Sequence, residues 1–371
     1  MTLQIAVMNE TAAAERRVAL TPDAIARLLK KQPEVAVQVE SGAGAKAGFP
    51  DAMYEAVGAK VVKALGKVKA DVLLRVTPPS AKEVLPLADN GTLVMLSAGA
   101  DSWKTFAKGK RNVLALEKLP RTSRAQALDV LSSQANLAGY AAVLAATQHL
   151  PRLMPMMTTA AGSAKPAQVL VLGVGVAGLQ AIATAKRLGA QVQAFDVRPE
   201  VAEQIRSLGA KPVELPMFSV QAEGGYAKAL DAKAQKQLQE ELAKVIAGMD
   251  IVVSTAQIPG KPAPVLITKE AVAAMKPASV IADLGAGGYN KANGVKGGNC
   301  PLTVADKVTA TANGITLLGE TNYPSQLAGD ASRFWAANMV NLLALLVKDG
   351  AADFSDELVA AMRVVKEGKL V

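Results

Sequence analysis

Gly173, Gly175 and Gly178 punctuate the centre of the chain, in the run Gln168-Val-Leu-Val-Leu-Gly173-Val-Gly175-Val-Ala-Gly178. The chemistry such spacing serves is anion binding. The first glycine lets the chain turn sharply off a strand, the second lets backbone approach a pyrophosphate, and the third lets helix pack on strand. Val176 and Ala177 then open a helix whose free N–H groups and dipole attract phosphate. A second strand, Gln191–Phe195, ends on Asp196. An acid about twenty residues past the first glycine accepts hydrogen bonds from an adenosine ribose. Glycine triplets also occur in tight βα turns that bind nothing, but strand, turn, helix, strand and acid in register favour a dinucleotide. The acid favours NAD over NADP, whose 2′-phosphate it repels, and Arg198 tempers that preference.

A second set of polar side chains precedes this motif, in Arg121-Thr-Ser-Arg-Ala-Gln126-Ala-Leu-Asp129-Val-Leu-Ser132-Ser-Gln-Ala-Asn136. Ser123 reads as an N-cap, with helical pattern running to about Leu150. Asp129, Ser132, Ser133 and Asn136 fall at i, i+3, i+4 and i+7 and share a face; Leu128, Leu131, Ala135, Ala138 and Ala142 form the apolar one. The polar stripe lacks Lys and Glu and uses short side chains. Two readings stay open: a solvated face, or a buried hydrogen-bonding surface with a function.

The elements that must position these residues are α/β throughout. Candidate strands are Leu3–Met8, Val35–Glu40, Ala59–Val62, Asp71–Val76, Thr92–Ser97 and Asn112–Leu116. Candidate helices are Asp23–Lys31, capped by Thr21-Pro22, then Ala52–Val57, Lys82–Ala88 and Trp103–Lys108. That alternation implies a parallel sheet with helices on its faces. A second sheet begins at Gln168, with helices Glu200–Leu208 and Asp231–Ala247 and strands Asp250–Ser254, Val280–Asp283 and Ile315–Leu317. Strand C-terminal ends face the ligand in such sheets, which directs Thr255, Ala256 and Gln257 to the nicotinamide side. A last helix, Ser325–Val347, returns the chain to the first domain. The expected fold is two doubly wound, Rossmann-like domains joined by long helices: residues 1–125 with 325–371, and a dinucleotide-binding domain over 126–324.

Composition removes several alternatives. No apolar run in the 371 residues approaches the roughly 20 needed to span a bilayer, and the N-terminus reads as a strand rather than a signal peptide. A cytoplasmic protein is expected. The one cysteine, Cys300, forbids an internal disulfide and reads as an inert thiol; the one histidine, His149, ends a helix. One Cys and one His leave no zinc site, and no metal is expected. The net charge of +9 is scattered among 32 acids with few aromatics interleaved, which argues against nucleic acid.

With these stretches read, the chain resembles the NAD(H)-binding component of proton-translocating nicotinamide nucleotide transhydrogenase, essentially end to end. The resemblance rests on Glu15-Arg-Arg-Val-Ala-Leu-Thr-Pro22, Arg121–Tyr140, Gly173–Ala190, Gly224-Gly-Tyr-Ala-Lys228, Ile258–Thr268, Gly297-Gly-Asn-Cys300 and Thr321-Asn-Tyr-Pro-Ser325. It implies a subunit, peripheral to the inner face of the cytoplasmic membrane, that carries NAD(H). Its partners would be a membrane-spanning subunit and one holding NADP(H), and the chain itself would form a homodimer. Hydride would pass directly between the two nicotinamides, coupled to proton translocation. By the resemblance Arg121, Gln126, Asp129 and Ser132 hold the nicotinamide and its ribose, beside Thr122, Ser123 and Arg124. Val176–Gly178 and Asp196, Val197 and Arg198 meet the pyrophosphate and adenosine, and Gly225 and Tyr226 tip a mobile loop over the nucleotide. Gln257 stands where relatives carry an aliphatic residue. Hydride exchange between nicotinamides needs no general acid or base, in keeping with a single histidine.

Alanine dehydrogenase is the close rival, and it needs a lysine and a histidine at the strand ends of the first domain. Here those ends read Arg75-Val-Thr77-Pro-Pro79 and Leu96-Ser97-Ala98. A non-catalytic NAD sensor is the other alternative; it leaves Arg121–Ser132 unexplained.

Overall fold

The computed structural model describes residues 2–65, 69–80, 83–97, 99–107, 110–215, 222–223, 226–227, 231–257, 262–287 and 298–371. The chain divides into two compact units, Met1–Gln134 with Pro324–Val371, and Ala135–Tyr323. The first opens with β1 (Leu3–Val7), α1 (Pro22–Lys31), β2 (Val35–Glu40), α2 (Asp51–Ala56) and β3 (Lys60–Val62). It continues with β4 (Ala70–Leu74), β5 (Leu87–Met95), α3 (Ala100–Phe106) and β6 (Asn112–Ala115). Thr21 takes the N-cap position of α1 with Pro22 next, although its hydroxyl makes no cap bond. The helix expected over Lys82–Ala88 is absent from its described residues. Leu87 and Ala88 instead open β5, with Leu87 opposite Ala70 of β4, so sheet pairing overrides the local helical pattern. Lys82 lies outside the described residues.

The single long helix expected from Ser123 is also two elements. Ser123–Leu128 is a 3-10 helix, Asp129 breaks the path at φ −75°, ψ 88°, and α4 (Val130–His149) follows. A 3-10 turn has three residues rather than 3.6, so the phase of the first piece does not carry into the second. Of the expected apolar face Leu128 and Ala142 are buried and Leu131 is exposed; Gln134, Leu137, Ala141, Val143 and Ala146 are buried besides.

The second unit has β7 (Met157–Thr159) and β8 (Gly162–Ala164) as a hairpin, then β9 (Gln168–Leu172), α5 (Val176–Arg187), β10 (Gln191–Phe195), α6 (Val201–Ser207) and β11 (Lys211–Pro212). After the short pair β12 (Ala222–Glu223) and β13 (Tyr226–Ala227) come α7 (Ala232–Ile246), β14 (Ile251–Ser254), α8 (Lys269–Ala273), β15 (Val280–Asp283), β16 (Val308–Ala310) and β17 (Thr316–Leu318). Its sheet runs β11-β10-β9-β14-β15-β17-β16. All neighbours pair parallel except β16, which lies antiparallel outside β17 and forms the edge. The run Val-Leu-Val-Leu of β9 is wholly buried, as a parallel strand covered on both faces requires.

The chain returns through α9 (Tyr323–Gln326) and α10 (Ala328–Leu346), then β18 (Val347–Lys348), β19 (Ala351–Ala352), α11 (Glu357–Met362), β20 (Arg363–Lys366) and β21 (Lys369–Leu370). The first sheet runs β21-β20-β6-β5-β4-β1-β2-β3. Without its antiparallel C-terminal strands it repeats the doubly wound order of the second. α10 supplies its core with Trp335, Met339, Leu342, Leu343 and Leu346, all buried against α1 and β2 residues such as Leu28 and Val37.

Candidate functional site

The glycine turn forms where β9 ends between β10 and β14, at the point where strand order reverses. Ligands of doubly wound sheets bind at such a switch point. Gly173 has φ +85°, in the left-handed region, and a Cβ there would stand 2.9 Å from the Ala256 nitrogen. The Thr255 hydroxyl donates to the Gly173 carbonyl at 2.8 Å, so Thr255 and Ala256 brace the turn. A Cβ on Gly178 would fall 2.0 Å from the Gly173 oxygen, which leaves glycine as the only residue that fits. At Gly175 the same test finds no heavy atom within 4 Å. Gly175 and Val176 are exposed, and no side chain caps α5. The three glycines thus differ: two are closed by packing and the middle one faces open space above uncapped N–H groups. That fits a pyrophosphate.

Asp196, at the end of β10, closes the turn from the other side. Its carboxylate accepts the Val174 N–H at 2.7 Å and is forked by Arg198, whose Nε and Nη2 donate at 2.9 Å each. The same guanidinium donates to the Val174 carbonyl at 3.2 Å. Val197 packs into the unit's apolar cluster. Asp196 therefore carries an internal cation, a partner that the sequence showed only as a neighbour.

Beside this cradle the loop after β14 is held from below. Gln257 donates from Nε2 to the Leu284 carbonyl at 2.9 Å. Asn299, fully buried, donates to the carbonyls of Ala256 and Pro264 at 2.8 Å each and accepts from the Ser254 hydroxyl. The Asp283 carboxylate accepts N–H bonds from Gly285, Asn299 and Cys300 at 2.9 to 3.1 Å. Burial pushes its carboxyl above the usual range, although those three N–H groups pull the other way. Burial also pushes up the Cys300 thiol, so the cysteine is inert. Sequence reasoning missed Asn299 and Asp283 as supports; only a four-residue match around Asn299 marked the place. Gly225 lies outside the described residues, and of Tyr226 the structure describes the backbone, in β13.

In the first unit, Arg121, Thr122, Ser123, Arg124 and Gln126 are exposed, while Ala125 and Leu128 anchor the turn in the core. Arg124 pairs with Asp356, the N-cap of α11, and with Glu357. Asp129 works as a cap: one carboxylate oxygen accepts the Ser132 N–H at 3.0 Å and the other the Ser132 hydroxyl at 2.5 Å. Two of the residues expected at the nicotinamide are thus one hydrogen-bonded unit at the head of α4.

The strand ends where amine oxidation would need lysine and histidine carry Thr77 and Ser97. The Thr77 hydroxyl donates to Glu10 at 2.5 Å. The Ser97 oxygen donates to Glu117 and accepts from the Trp103 indole. Glu10 also accepts from the Arg75 guanidinium at 3.2 Å and from the Val76 and Thr77 N–H groups, and it is 4% exposed. His149 is exposed at the end of α4. Among the described residues no helix is long and apolar enough to cross a membrane, and no cluster of three His, Cys, Asp or Glu is placed to hold a metal.

Residues 6–138 match the alanine dehydrogenase/PNT N-terminal domain and residues 142–371 the C-terminal domain of the same family. An NAD(P) transhydrogenase subunit alpha chain of Rhodospirillum rubrum is 41% identical over 386 residues, covering 100% of this chain and 98% of that protein. The crystal structure of transhydrogenase from Sinorhizobium meliloti superposes with a TM-score of 0.87 at 39% identity, over 99% of this chain and 100% of that one. An alanine dehydrogenase of Halomonas elongata is 27% identical over 99% of this chain and 94% of its own length. Fold, glycine cradle and similarity over the whole length agree: the chain belongs to the alanine dehydrogenase/PNT family, on the side of its NAD(P) transhydrogenase alpha subunits.

Proposed function

We propose that this chain is the NAD(H)-binding component of a proton-translocating transhydrogenase. It exchanges hydride directly with NADP(H) held on a partner subunit, and the transfer is coupled to proton translocation through a membrane-spanning subunit. It works as a homodimer, peripheral to the inner face of the cytoplasmic membrane through those partners. The observation that carries the reading is the glycine cradle combined with Thr77 and Ser97 where amine oxidation would need a proton-transferring pair.

Bound NAD(H) supplies or takes the hydride. The protein's task is position, since two rings at near-attack distance need no acid or base. In this reading Gly173–Gly178 with Val176 and Ala177 hold the pyrophosphate, and Asp196 to Arg198 the adenosine ribose. Thr255, Ala256 and Gln257 stand at the nicotinamide side, with Gly225 and Tyr226 over the nucleotide. Arg121, Gln126, Asp129 and Ser132, flanked by Thr122, Ser123 and Arg124, orient the nicotinamide and its ribose. The Asp129–Ser132 bond fixes these two groups relative to one another.

The test mixes the chain with an NADP-binding partner subunit and follows reduction of an NAD analogue by NADPH. Exchange that requires both proteins is expected; partner-free reduction of NAD by alanine would overturn the reading. Within that assay, Gln126→Asn and Asp129→Asn should slow hydride transfer about a hundredfold through misplacement. NADH affinity should change much less, and a loss confined to binding would count against the assigned roles.

A further inference from the structure

Asn338 and Asn341 sit one turn apart on α10, inside a helix that otherwise fills the apolar core of the first unit. Their side-chain amides converge on a single atom. Asn338 Nδ2 donates to the Ala127 carbonyl at 2.8 Å and Asn341 Nδ2 donates to the same oxygen at 3.0 Å. A carbonyl has two lone pairs, so Ala127 is fully engaged from one side. The Asn338 Oδ1 then accepts the Ser133 hydroxyl at 2.9 Å. The carbonyl partner of Nδ2 fixes the orientation of this amide, because the reversed amide would set oxygen against oxygen.

Ala127 and Ser133 lie on opposite sides of the break at Asp129. One closes the 3-10 turn that carries Gln126; the other sits in the first turn of α4, beside Ser132. One buried amide, 8% exposed, therefore clamps both ends of the kink that presents Gln126, Asp129 and Ser132. The Asp129 cap on the Ser132 N–H starts α4 locally, but it does not fix the angle at which the 3-10 turn joins that helix. A buried Asn is costly in a core helix unless its bonds are made, and here both of its polar atoms are used on this one segment.

We infer that Asn338 is a positioning residue for hydride transfer, fixing the angle at Asp129 and with it the groups that orient the nicotinamide. The inference rests on the proposed role of Arg121–Ser132. Asn341 shares the Ala127 bond, whereas the bond to Ser133 belongs to Asn338 alone, so Asn338 is the member that spans the break.

The experiment uses the full chain with its transhydrogenase partner subunits and compares Asn338→Leu, Ser133→Ala, Asp129→Asn and Asn338→Leu with Asp129→Asn combined. Hydride transfer from NADPH to an NAD analogue, both saturating, is read beside the NADH dissociation constant and the melting temperature. Asn338→Leu is expected to slow transfer about tenfold while leaving NADH binding within about threefold. In the Asp129→Asn background the same substitution should cost almost nothing further, because the two act through one geometry. A merely structural Asn338 would lower the melting temperature yet leave transfer by the folded protein unchanged, or slow it equally in both backgrounds. Either result overturns the inference. If Asn338→Leu does not fold, Ser133→Ala removes the bond to Oδ1 together with the hydroxyl's weaker contacts to the Val130 carbonyl and the Gln134 amide; slower transfer supports the clamp and wild-type transfer overturns it. Wild-type transfer in Asp129→Asn would instead overturn the reading of Arg121–Ser132 itself. A slow Asp129→Asn beside an unimpaired Asn338→Leu sinks this inference alone.

Discussion

Asp196 and Arg198 show how a residue's partner changes its meaning. Read alone, the acid at the end of β10 accepts the ribose hydroxyls and repels a 2′-phosphate. In the fold its carboxylate is forked by the Arg198 guanidinium and tied to the Val174 N–H, so the arginine's charge is spent on the acid. A 2′-phosphate would meet a paired cation instead of a free one. NADH is therefore expected to bind about tenfold more tightly than NADPH, or roughly 1.4 kcal/mol, by calorimetry. Asp196→Asn should narrow that gap, by weakening NADH and releasing Arg198 toward the phosphate. An unchanged ratio in that variant would refute the pairing argument. The sequence showed the two residues and their separation; it could not show that one neutralises the other.

Elements were legible where local chemistry decides them. The Val-Leu-Val-Leu run, the glycines and the strand ending on Asp196 each form from their own residues: β9 and α5 begin at Gln168 and Val176 as expected, and β10 spans the expected Gln191–Phe195. Elements decided from afar were not legible. The kink at Asp129 is held through the Ala127 carbonyl by amides 211 and 214 residues beyond Ala127, and Leu87 yields to pairing with β4. The strands β20 and β21 are too short to show a period; β20 exists by pairing onto β6 and β21 by pairing onto β20. The glycine turn offers the sharpest check at this scale. Gly178→Ala would place a carbon 2.0 Å from the Gly173 oxygen, and overpacking there should cost about 3 kcal/mol of stability. Gly175→Ala meets nothing within 4 Å, so its melting curve should match wild type while NADH binding falls steeply. A Gly175→Ala protein that keeps its NADH affinity would show that the pyrophosphate lies elsewhere.

At the scale of the whole molecule, two sheets share one winding: β3-β2-β1-β4-β5-β6 in the first unit and β11-β10-β9-β14-β15-β17 in the second. Each has its own switch point, between β1 and β4 and between β9 and β14. The second leaves that place open above Gly175. The first fills it with the Glu10 carboxylate, which takes the Arg75 guanidinium, two backbone N–H groups and the Thr77 hydroxyl. Glu10 is, in effect, a ligand supplied by the chain itself. Glu10→Ala should accordingly cost about 3 kcal/mol, because it leaves the Val76 and Thr77 donors unpaired and the buried Arg75 guanidinium with its Glu83 bridge in place of two carboxylates. Added acetate or formate should restore some of the loss by occupying the vacated cradle, where chloride at equal ionic strength should not. Chemical rescue of that kind would mean that a single truncation turns a sealed scaffold into a receptor for small carboxylates.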